Sequence, residues 1–467
     1  MSTEDFNLGD IQGNILRGYN REFVRHLILE VTVRVAARQF LGTAVAGGND
    51  DVPMITRGAL WVGSKPPYCF NIGVTYPGLR ALRTPTKYLA TFPTENRDCR
   101  SKRSLKIGDF GNSAPDQWPA PFDEPDRVHI IATIHADDAA HLDRIEGQVA
   151  NAFTVLGVRN GRSLPEGKVF FGYRDGISQP RFDHIYDPDQ EGVDEPMDPL
   201  GTALLGYETR QEGVRFRVPS PHDLGFNDTF NAFRVLSQDV VAFERYLDEA
   251  ATMLMDHPKR DQLVDPDHLE LIGEGLDIHG ALREVVAAQL CGRWRNGVPY
   301  ELSPMAQFPK EEVSLTNFDY THASRCPAGA HTRRGNPRGG PIVQRIANYS
   351  RRLIRRGTSY GPDFDPAKPD DQERGLLGSF IGANLGAQFE AVMCDWINLG
   401  LQDPNITGAN DPLLGANTPE TSWFDMTLPD GDSIRLRGFP RLIWARGGAY
   451  TFLPSMVGIR YLSELTG

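Results

Sequence analysis

The sequence contains few cysteines, and their spacing forms no recognisable pattern. The five cysteines are odd in number, widely scattered and include no Cys-x-x-Cys pair. This usage argues against a disulfide framework and against a structural zinc site, and it favours a reducing compartment. The chain also lacks a His-x-x-x-His pair. A metal-dependent hydrolase that uses scattered His and Asp residues is therefore a poorly supported function.

Long apolar runs and an export signal are missing as well. No stretch of about 18 apolar residues occurs, so the sequence predicts no membrane-spanning helix. The first eight residues have no basic segment followed by an apolar one and no twin arginines, so the expected location is cytoplasmic. Acidic residues outnumber basic ones by 61 to 49, giving a net charge of −12. That charge argues against general binding of nucleic acids or anionic membranes.

What the chain does have is a recurring alternation of strand-like and helix-like segments. Residues 26–35 alternate apolar and polar side chains, with Ile28 as the exception, which predicts a half-buried strand. A second round begins near residue 169, and it contains strand-like segments at 231–236 and 376–381 and a helix-like segment at 388–396. In a chain of 467 residues this pattern predicts an α+β fold with two similar halves, although no sequence repeat proves it.

The most informative segment reads Gly172-Tyr173-Arg174-Asp175-Gly176 and follows the apolar residues 169–171. We interpret those apolar residues as a strand whose end presents the carboxylate of Asp175. The flanking glycines would let the backbone turn sharply and let a bulky group approach. An ordinary Asp-Gly turn explains the segment equally simply, and the segment taken alone favours that turn.

A second segment places small residues directly before His331, in the order Pro327-Ala328-Gly329-Ala330. Small residues would leave room for a flat macrocycle in front of the imidazole. A neutral imidazole is a common axial haem ligand when its other ring nitrogen is held by a carboxylate or carbonyl. His331 is otherwise a polar residue in an arginine-rich turn. Cys326 is a rival ligand, because thiolates also bind haem iron.

Eight arginines lie between Arg333 and Arg356, an unusual density for an acidic chain. Bound carboxylates would explain them, since arginine pairs with carboxylates through two parallel donors and haem carries two propionates. Nucleic acid is a weaker explanation, because few aromatic residues are interleaved with the arginines. Several of the eight would also fit a solvated basic face.

Taken together, these segments resemble the dye-decolorizing peroxidase family, and in particular its longer bacterial and fungal members. The matching pieces span nearly the whole chain in the expected order. They are Gly172-x-x-Asp175-Gly176, the block from Cys326-Pro327 through His331-x-Arg333 to Asn336-Pro337-Arg338, and Arg355-Arg356-Gly357-x-x-Tyr360-Gly361. The resemblance implies two ferredoxin-like α+β domains with antiparallel sheets, which we place at residues 1–165 and 166–467. It also implies haem b, held mainly by the second domain.

The resemblance implies roles for individual residues. They are His331 as the axial ligand of the haem iron, Asp175 as the acid–base residue, Arg355 as the catalytic arginine, Glu390 as a weaker candidate for orienting His331, and Arg333 as a propionate partner. The implied reaction consumes hydrogen peroxide and forms a ferryl haem radical, which oxidises dyes, phenols or other one-electron donors. Surface electron transfer would use Tyr360 or, second, Trp396, although core packing explains Trp396 slightly better. The alternative is a haem-handling protein without peroxide turnover. An oligomer is compatible with the sequence.

Overall fold

The computed structural model describes residues 6–61, 63–182, 185, 197–211, 213–322, 324–342 and 349–466. Its strands are β1 Phe23–Glu30, β2 Tyr68–Val74, β3 Ile130–Ala136, β4 Thr154–Arg162, β5 Thr229–Gln238, β6 Ile354–Tyr360, β7 Gly375–Gly382, β8 Trp423–Thr427, β9 Ser433–Arg437 and β10 Ile443–Leu453. Its α-helices are α1 Gly13–Leu16, α2 Arg34–Ala46, α3 Tyr76–Ala81, α4 Thr86–Leu89, α5 Thr94–Lys102, α6 Ala139–Ala150, α7 Val240–Met255, α8 Ile278–Cys291, α9 His331–Gly335 and α10 Met456–Ser463.

Eight of these strands close into one antiparallel barrel that consists of two equivalent halves. The order around the barrel is β1-β3-β2-β10-β5-β7-β6-β4, and β8 and β9 form a separate hairpin. Each half therefore has the same internal order, β4-β1-β3-β2 in the first and β10-β5-β7-β6 in the second. The halves join where Val74 pairs with Phe452 and where Arg162 pairs with Ser359. The predicted α+β fold with two ferredoxin-like units and antiparallel sheets is confirmed.

Barrel closure explains the irregular alternation in β1, which the sequence analysis took for a half-buried strand. Leu27 and Leu29 belong to the core beneath the helices of the first half. Ile28 points the other way and packs inside the barrel near Phe233. His26 shares that inner face and is also buried. The predicted strand is present up to Glu30, and α2 begins at Arg34. The half-buried character of the strand was a wrong prediction, because the face that was expected to meet solvent lines the barrel interior.

Strands β5 and β7 confirm the predicted strands of the second half, whereas residues 169–171 are not a strand. They form a tight loop in which the Gly172 N–H donates to the Val169 carbonyl at 2.7 Å. Phe171 in this loop is buried and packs against Phe243 with ring centroids 4.6 Å apart. The predicted helix at 388–396 is present as two π-helical stretches, Leu385–Glu390 and Val392–Asn398.

The chain returns to its first half at the end, where α10 packs against α2. Strand β4 ends at Arg162, and the proposed division between residues 165 and 166 stays a prediction. Within the described ranges, no helix has both the length and the apolar character that a membrane crossing needs.

Candidate functional site

A cavity of about 290 Å³ lies on the outer face of the second half's sheet. Its floor is formed by β5, β6 and β7, and its walls by the loop around Asp175, by α9 and by the π-helical stretch. Most of its walls are apolar, which suits a flat hydrophobic ligand with a few fixed polar contacts. The apolar lining includes Phe171, Leu236, Leu376, Phe380, Phe389, Val392, Met393, Ile397, Leu413 and Ile443.

Asp175, Arg355 and His331 all line this one cavity, although they are far apart in sequence. The charges of Arg355 and Asp175 both act on the imidazole of His331, so the three groups lie within electrostatic range. The fold therefore brings together three residues that are far apart in sequence and that the sequence motifs indicated as candidates.

Asp175 sits in a loop that its glycines make possible. Gly172 and Gly176 both adopt the left-handed region, with φ values of 80° and 74°. A side chain at position 172 would be strained by the positive φ, and its Cβ would also lie 2.4 Å from Nη1 of Arg295. The N–H of Asp175 donates to the Gly167 carbonyl at 2.9 Å, which fixes the backbone and leaves the carboxylate at the cavity.

Arg355 lies on β6, and its guanidinium is held by the loop that follows Asp175. Its Nη2 donates to the carbonyl of Ser178 at 2.9 Å. Its backbone N–H and C=O both bind the side-chain amide of Gln179. The remaining guanidinium N–H groups are left to face the cavity, as donors with a permanent positive charge.

His331 is the first residue of α9, and Asp411 fixes its ring. Nδ1 lies 3.0 Å from Oδ2 of the fully buried Asp411. The other carboxylate oxygen accepts the N–H groups of Leu413 at 2.9 Å and Leu414 at 2.8 Å. Burial alone would lower the pKa of His331, but the charge and hydrogen bond of Asp411 outweigh it and raise the pKa. With Nδ1 engaged, Nε2 is the ring nitrogen left to bind a ligand.

Asp411 takes the place that the sequence analysis gave to Glu390, so that prediction was wrong. Glu390 turns toward the first half, where its Oε2 lies 2.6 Å from Nη2 of Arg103 and 2.9 Å from Nζ of Lys106. Its Oε1 also accepts the hydroxyl of Tyr450 at 3.1 Å. Asp411 lies 80 residues from His331 in a segment without any motif we recognise, so no sequence signal identified it.

Arg333 and Cys326 also lie away from the cavity. Arg333 donates to Oγ of Ser324 at 2.7 Å, and its guanidinium carbon lies 4.9 Å from the ring centre of Tyr320. It is therefore not placed as the predicted propionate partner. Cys326 is fully buried, and burial raises the pKa of its thiol to about 12. A buried, protonated thiol outside the cavity does not compete with His331 as an axial ligand.

The arginine cluster is mainly a set of internal cross-links rather than a solvated basic face. Arg334 is buried and donates to three backbone carbonyls. Arg351 pairs with Asp395, and Arg352 pairs with Asp198, each at 2.8 Å. Arg345 lies outside the described residues. The members that line the cavity are Arg338, Arg351, Arg352, Arg355 and Arg356, and they make its rim suitable for carboxylates.

The two predicted electron-transfer residues differ in their surroundings. Tyr360 is half-buried at the end of β6, and its hydroxyl donates to Oε1 of Glu373 at 2.9 Å. Trp396 is only 1% exposed and lies in the core, where the Arg351 guanidinium packs over its ring at 4.8 Å. Only Tyr360 therefore lies where an external donor can approach its ring.

The residues present fit a haem. The cavity combines one imidazole whose other nitrogen is held by a buried carboxylate with apolar walls and an arginine-rich rim. Gly357 and Gly378 face each other on β6 and β7, and a Cβ on Gly357 would meet only Leu376, at 3.5 Å. Among the described residues, no group of three or more His, Cys, Asp and Glu residues is arranged to hold a bare metal ion.

Fold and site together define an α+β protein of two ferredoxin-like halves with a histidine–aspartate pair at a mainly apolar cavity. No family model matches the chain. A dye-decolorizing peroxidase of Exidia glandulosa is 26% identical over 100% of this chain and 88% of its own length. A multifunctional dye peroxidase of Amycolatopsis is 25% identical over 97% of this chain and 96% of its own.

Solved structures of such peroxidases share the fold over essentially the full chain. A decolorizing peroxidase from Auricularia auricula-judae superposes with a TM-score of 0.77 at 23% identity, over 98% of this chain and 100% of that one. A dye-decolorizing peroxidase in complex with 2,6-dimethoxyphenol gives a TM-score of 0.76 at 24% identity, with 98% and 100% coverage. The chain is therefore similar in sequence to dye-decolorizing peroxidases over nearly its whole length, and it shares the fold of their solved structures.

Proposed function

We propose that the chain is a haem b-dependent peroxidase that reduces hydrogen peroxide and oxidises dyes, phenols or other one-electron donors. The observation that carries this proposal is that Asp175, Arg355 and His331 line one cavity. Relatives that match nearly the whole chain are named as dye-decolorizing peroxidases, which supports the proposal. The sequence has no Cys-x-x-Cys-His motif for covalent attachment, which supports haem b.

His331 would hold the iron through Nε2, and Asp411 would keep the imidazole in one orientation and tautomer. Bound haem would supply the iron and the electrons for cleavage of the O–O bond. The Asp411 carboxylate also increases the basicity of His331, which strengthens the electron donation of the ligand.

Asp175 would move the proton. Peroxide carries one proton on each oxygen, and its cleavage to water needs both on the leaving oxygen. A carboxylate within roughly 3 Å, or one water molecule, of the peroxide can accept the first proton and return it to the other oxygen. Arg355 would stabilise the negative charge that develops as the bond breaks, because its guanidinium supplies positively charged N–H donors.

Electrons from bulky donors would enter through Tyr360, whose half-buried ring lies at the end of β6. Small phenols would also react at the cavity itself. All five cysteines are free, which supports residence in a reducing compartment such as the cytoplasm. Fractionation of the native cells with an antibody to the protein tests that location, and recovery outside the cytoplasm would contradict it.

The decisive experiment replaces Asp175 by Asn and reconstitutes the protein with haem. The Asn side chain has nearly the same shape but cannot accept the proton, so the rate of reaction with peroxide should fall by about 10²–10⁴-fold. The Soret band should stay, because Asp175 is not the ligand. Stopped-flow absorption after mixing with peroxide measures the rate, and Asp116→Asn, at an exposed position in the first half, is the control.

The outcome separates the proposal from the alternative of a haem-handling protein. Wild-type protein that binds haem without reacting with peroxide would favour the alternative. Undiminished peroxide reactivity in Asp175→Asn would remove this residue from the mechanism. Failure of the wild type to bind haem would contradict both functions.

A further inference from the structure

Gln179 makes an unusual two-point contact with the backbone of Arg355. Its Oε1 accepts the Arg355 N–H at 3.0 Å, and its Nε2 donates to the Arg355 carbonyl at 3.0 Å. A primary amide has the same donor and acceptor as a peptide group. The side chain therefore forms the pair of hydrogen bonds that a residue on a neighbouring antiparallel strand would form.

The position of this contact in the barrel explains why it is needed. Both backbone groups of one strand residue point toward the same edge of that strand. On one side of β6, β7 pairs along its whole length, with Phe380 opposite Arg355. On the other side, β4 pairs with β6 near its far end, through Arg162 and Ser359. Gln179 fills the place next to Arg355 that β4 does not reach.

The same contact ties the strand that carries Arg355 to the loop that carries Asp175. Ser178 accepts Nη2 of Arg355 through its carbonyl at 2.9 Å. The Gln179 carbonyl accepts Nη2 of Arg352 at 3.3 Å. Residues 178 and 179, three and four positions after Asp175, therefore bind both the guanidinium and the backbone of Arg355.

We propose that Gln179 is a positioning residue that fixes Arg355 relative to Asp175. This inference rests on the proposed function, in which the two side chains act on the same peroxide molecule. Arginine has many rotamers, and a displacement of about 1 Å of a catalytic group can cost on the order of 100-fold in rate. Gln179 itself does not touch the reacting atoms; it acts through the backbone of Arg355.

Two variants and one control test the proposal. Gln179→Met keeps the length of the side chain and removes both hydrogen bonds. Gln179→Glu keeps the acceptor for the Arg355 N–H, and it recovers a donor for the carbonyl only when its carboxyl group is protonated. Gln262→Met is the control, because Gln262 donates to Asp430 at 2.9 Å on a surface loop of the second half.

The first measurement is hydrogen–deuterium exchange of cofactor-free protein, read by mass spectrometry on the peptide that covers residues 353–358. We expect faster exchange there in Gln179→Met than in wild type or Gln262→Met, because the Arg355 amide loses its acceptor. An unchanged exchange rate would contradict the role of Gln179 in holding the Arg355 backbone, whether or not the protein is a peroxidase.

The second measurement is the rate of haem-loaded protein with peroxide. We expect Gln179→Met to react on the order of 10-fold more slowly, with its Soret band unchanged. The rate of Gln179→Glu relative to wild type should recover as the pH falls, whereas that of Gln179→Met should not. Equal rates in all variants would overturn the positioning role. A wild type that does not react with peroxide would instead contradict the proposed function. The exchange measurement would still show whether Gln179 holds the Arg355 backbone.

Discussion

The two halves of the barrel have the same strand order but use the outer face of their sheets in opposite ways. In the first half that face is filled by helices. Leu27 and Leu29 of β1 share one apolar core with Phe40 and Leu41 of α2 and with Ile145 of α6. Such packing stabilises the fold and leaves no room for a ligand.

In the second half the corresponding face carries the cavity. Helices α7 and α8 pack against each other, and their core includes residues of the β8–β9 hairpin, such as Phe424 and Leu436. Strands β6 and β7 present Gly357, Gly378 and Arg355 to the cavity, whereas the equivalent strands β2 and β3 of the first half present apolar core residues. One topology therefore serves as scaffold in one half and as binding site in the other, and the choice is made by a few side chains and by where the helices pack.

Filling the floor of the cavity should make the second half behave like the first. Gly357→Val places two methyl groups on the face that lines the cavity. Position 357 accepts a side chain, because its φ is not positive and a Cβ there makes only ordinary contacts. We expect haem binding to be lost, while cofactor-free protein unfolds at nearly the wild-type temperature. Haem titration followed at the Soret band measures the first effect and circular dichroism the second.

The matched control is Gly147→Val on the exposed side of α6, which has open space around it. Wild-type haem affinity in Gly357→Val would mean that the sheet does not form the floor of the binding site. A large loss of stability would mean that Gly357 serves the fold rather than the cavity.

Local sequence patterns indicated the segments of the site better than they indicated which residues contact each other. The segments around Asp175, His331 and Arg355 could be recognised from local patterns, because each is contained in a short stretch. Asp411 could not, because the pairing of two residues 80 positions apart depends on how the loop that carries Asp411 folds back onto α9. Glu390 was chosen for its sequence neighbourhood, but the helix turns its carboxylate toward Arg103.

Closure of the barrel was equally invisible in the sequence. Alternation in β1 reports which side chains share a face, but it does not report whether that face meets solvent or the opposite sheet. His26 was therefore assigned to solvent, yet it is buried beside Phe233 with ring centroids 4.8 Å apart. A polar residue on a strand is a weak indicator of exposure when a second sheet can cover it.

Because His26 of the first half is buried, we expect the folding stability of the protein to fall at acidic pH. Burial lowers the pKa of His26 to about 3. In the unfolded chain its pKa is ordinary, about 6.5. As the pH falls below 6.5, the unfolded state takes up a proton and the folded state does not. Folding stability is therefore lost progressively between pH 6.5 and about 3, and at pH 5 the loss amounts to about 2 kcal/mol.

The change to make is His26→Gln, which keeps a polar group near Thr133 Oγ1, 3.0 Å from the imidazole Nδ1 in the wild type. Urea unfolding at pH 7 and pH 5 should show a smaller difference for this variant than for wild type. The half-buried His279 of the second half is the comparison, and His279→Gln should retain the wild-type difference. Equal pH differences in all three proteins would contradict the assignment.

The smallest expected effect concerns the surface of the second half. Tyr360→Phe removes the hydroxyl that donates to Glu373 and leaves the ring in place. A phenol is oxidised more easily when a neighbouring base accepts its proton, whereas phenylalanine offers no such route. We expect oxidation of a bulky dye to slow several-fold, while the reaction of the haem-loaded protein with peroxide keeps its wild-type rate.

The first half provides the matched control, Tyr88→Phe, at a half-buried tyrosine on α4. Dye oxidation and peroxide reaction are measured on the same preparations, so a loss of haem cannot be mistaken for a loss of electron transfer. If Tyr360→Phe oxidises the dye as fast as Tyr88→Phe and wild type, electrons leave by another route. The functional difference between the two halves would then lie in the cavity and not at the protein surface.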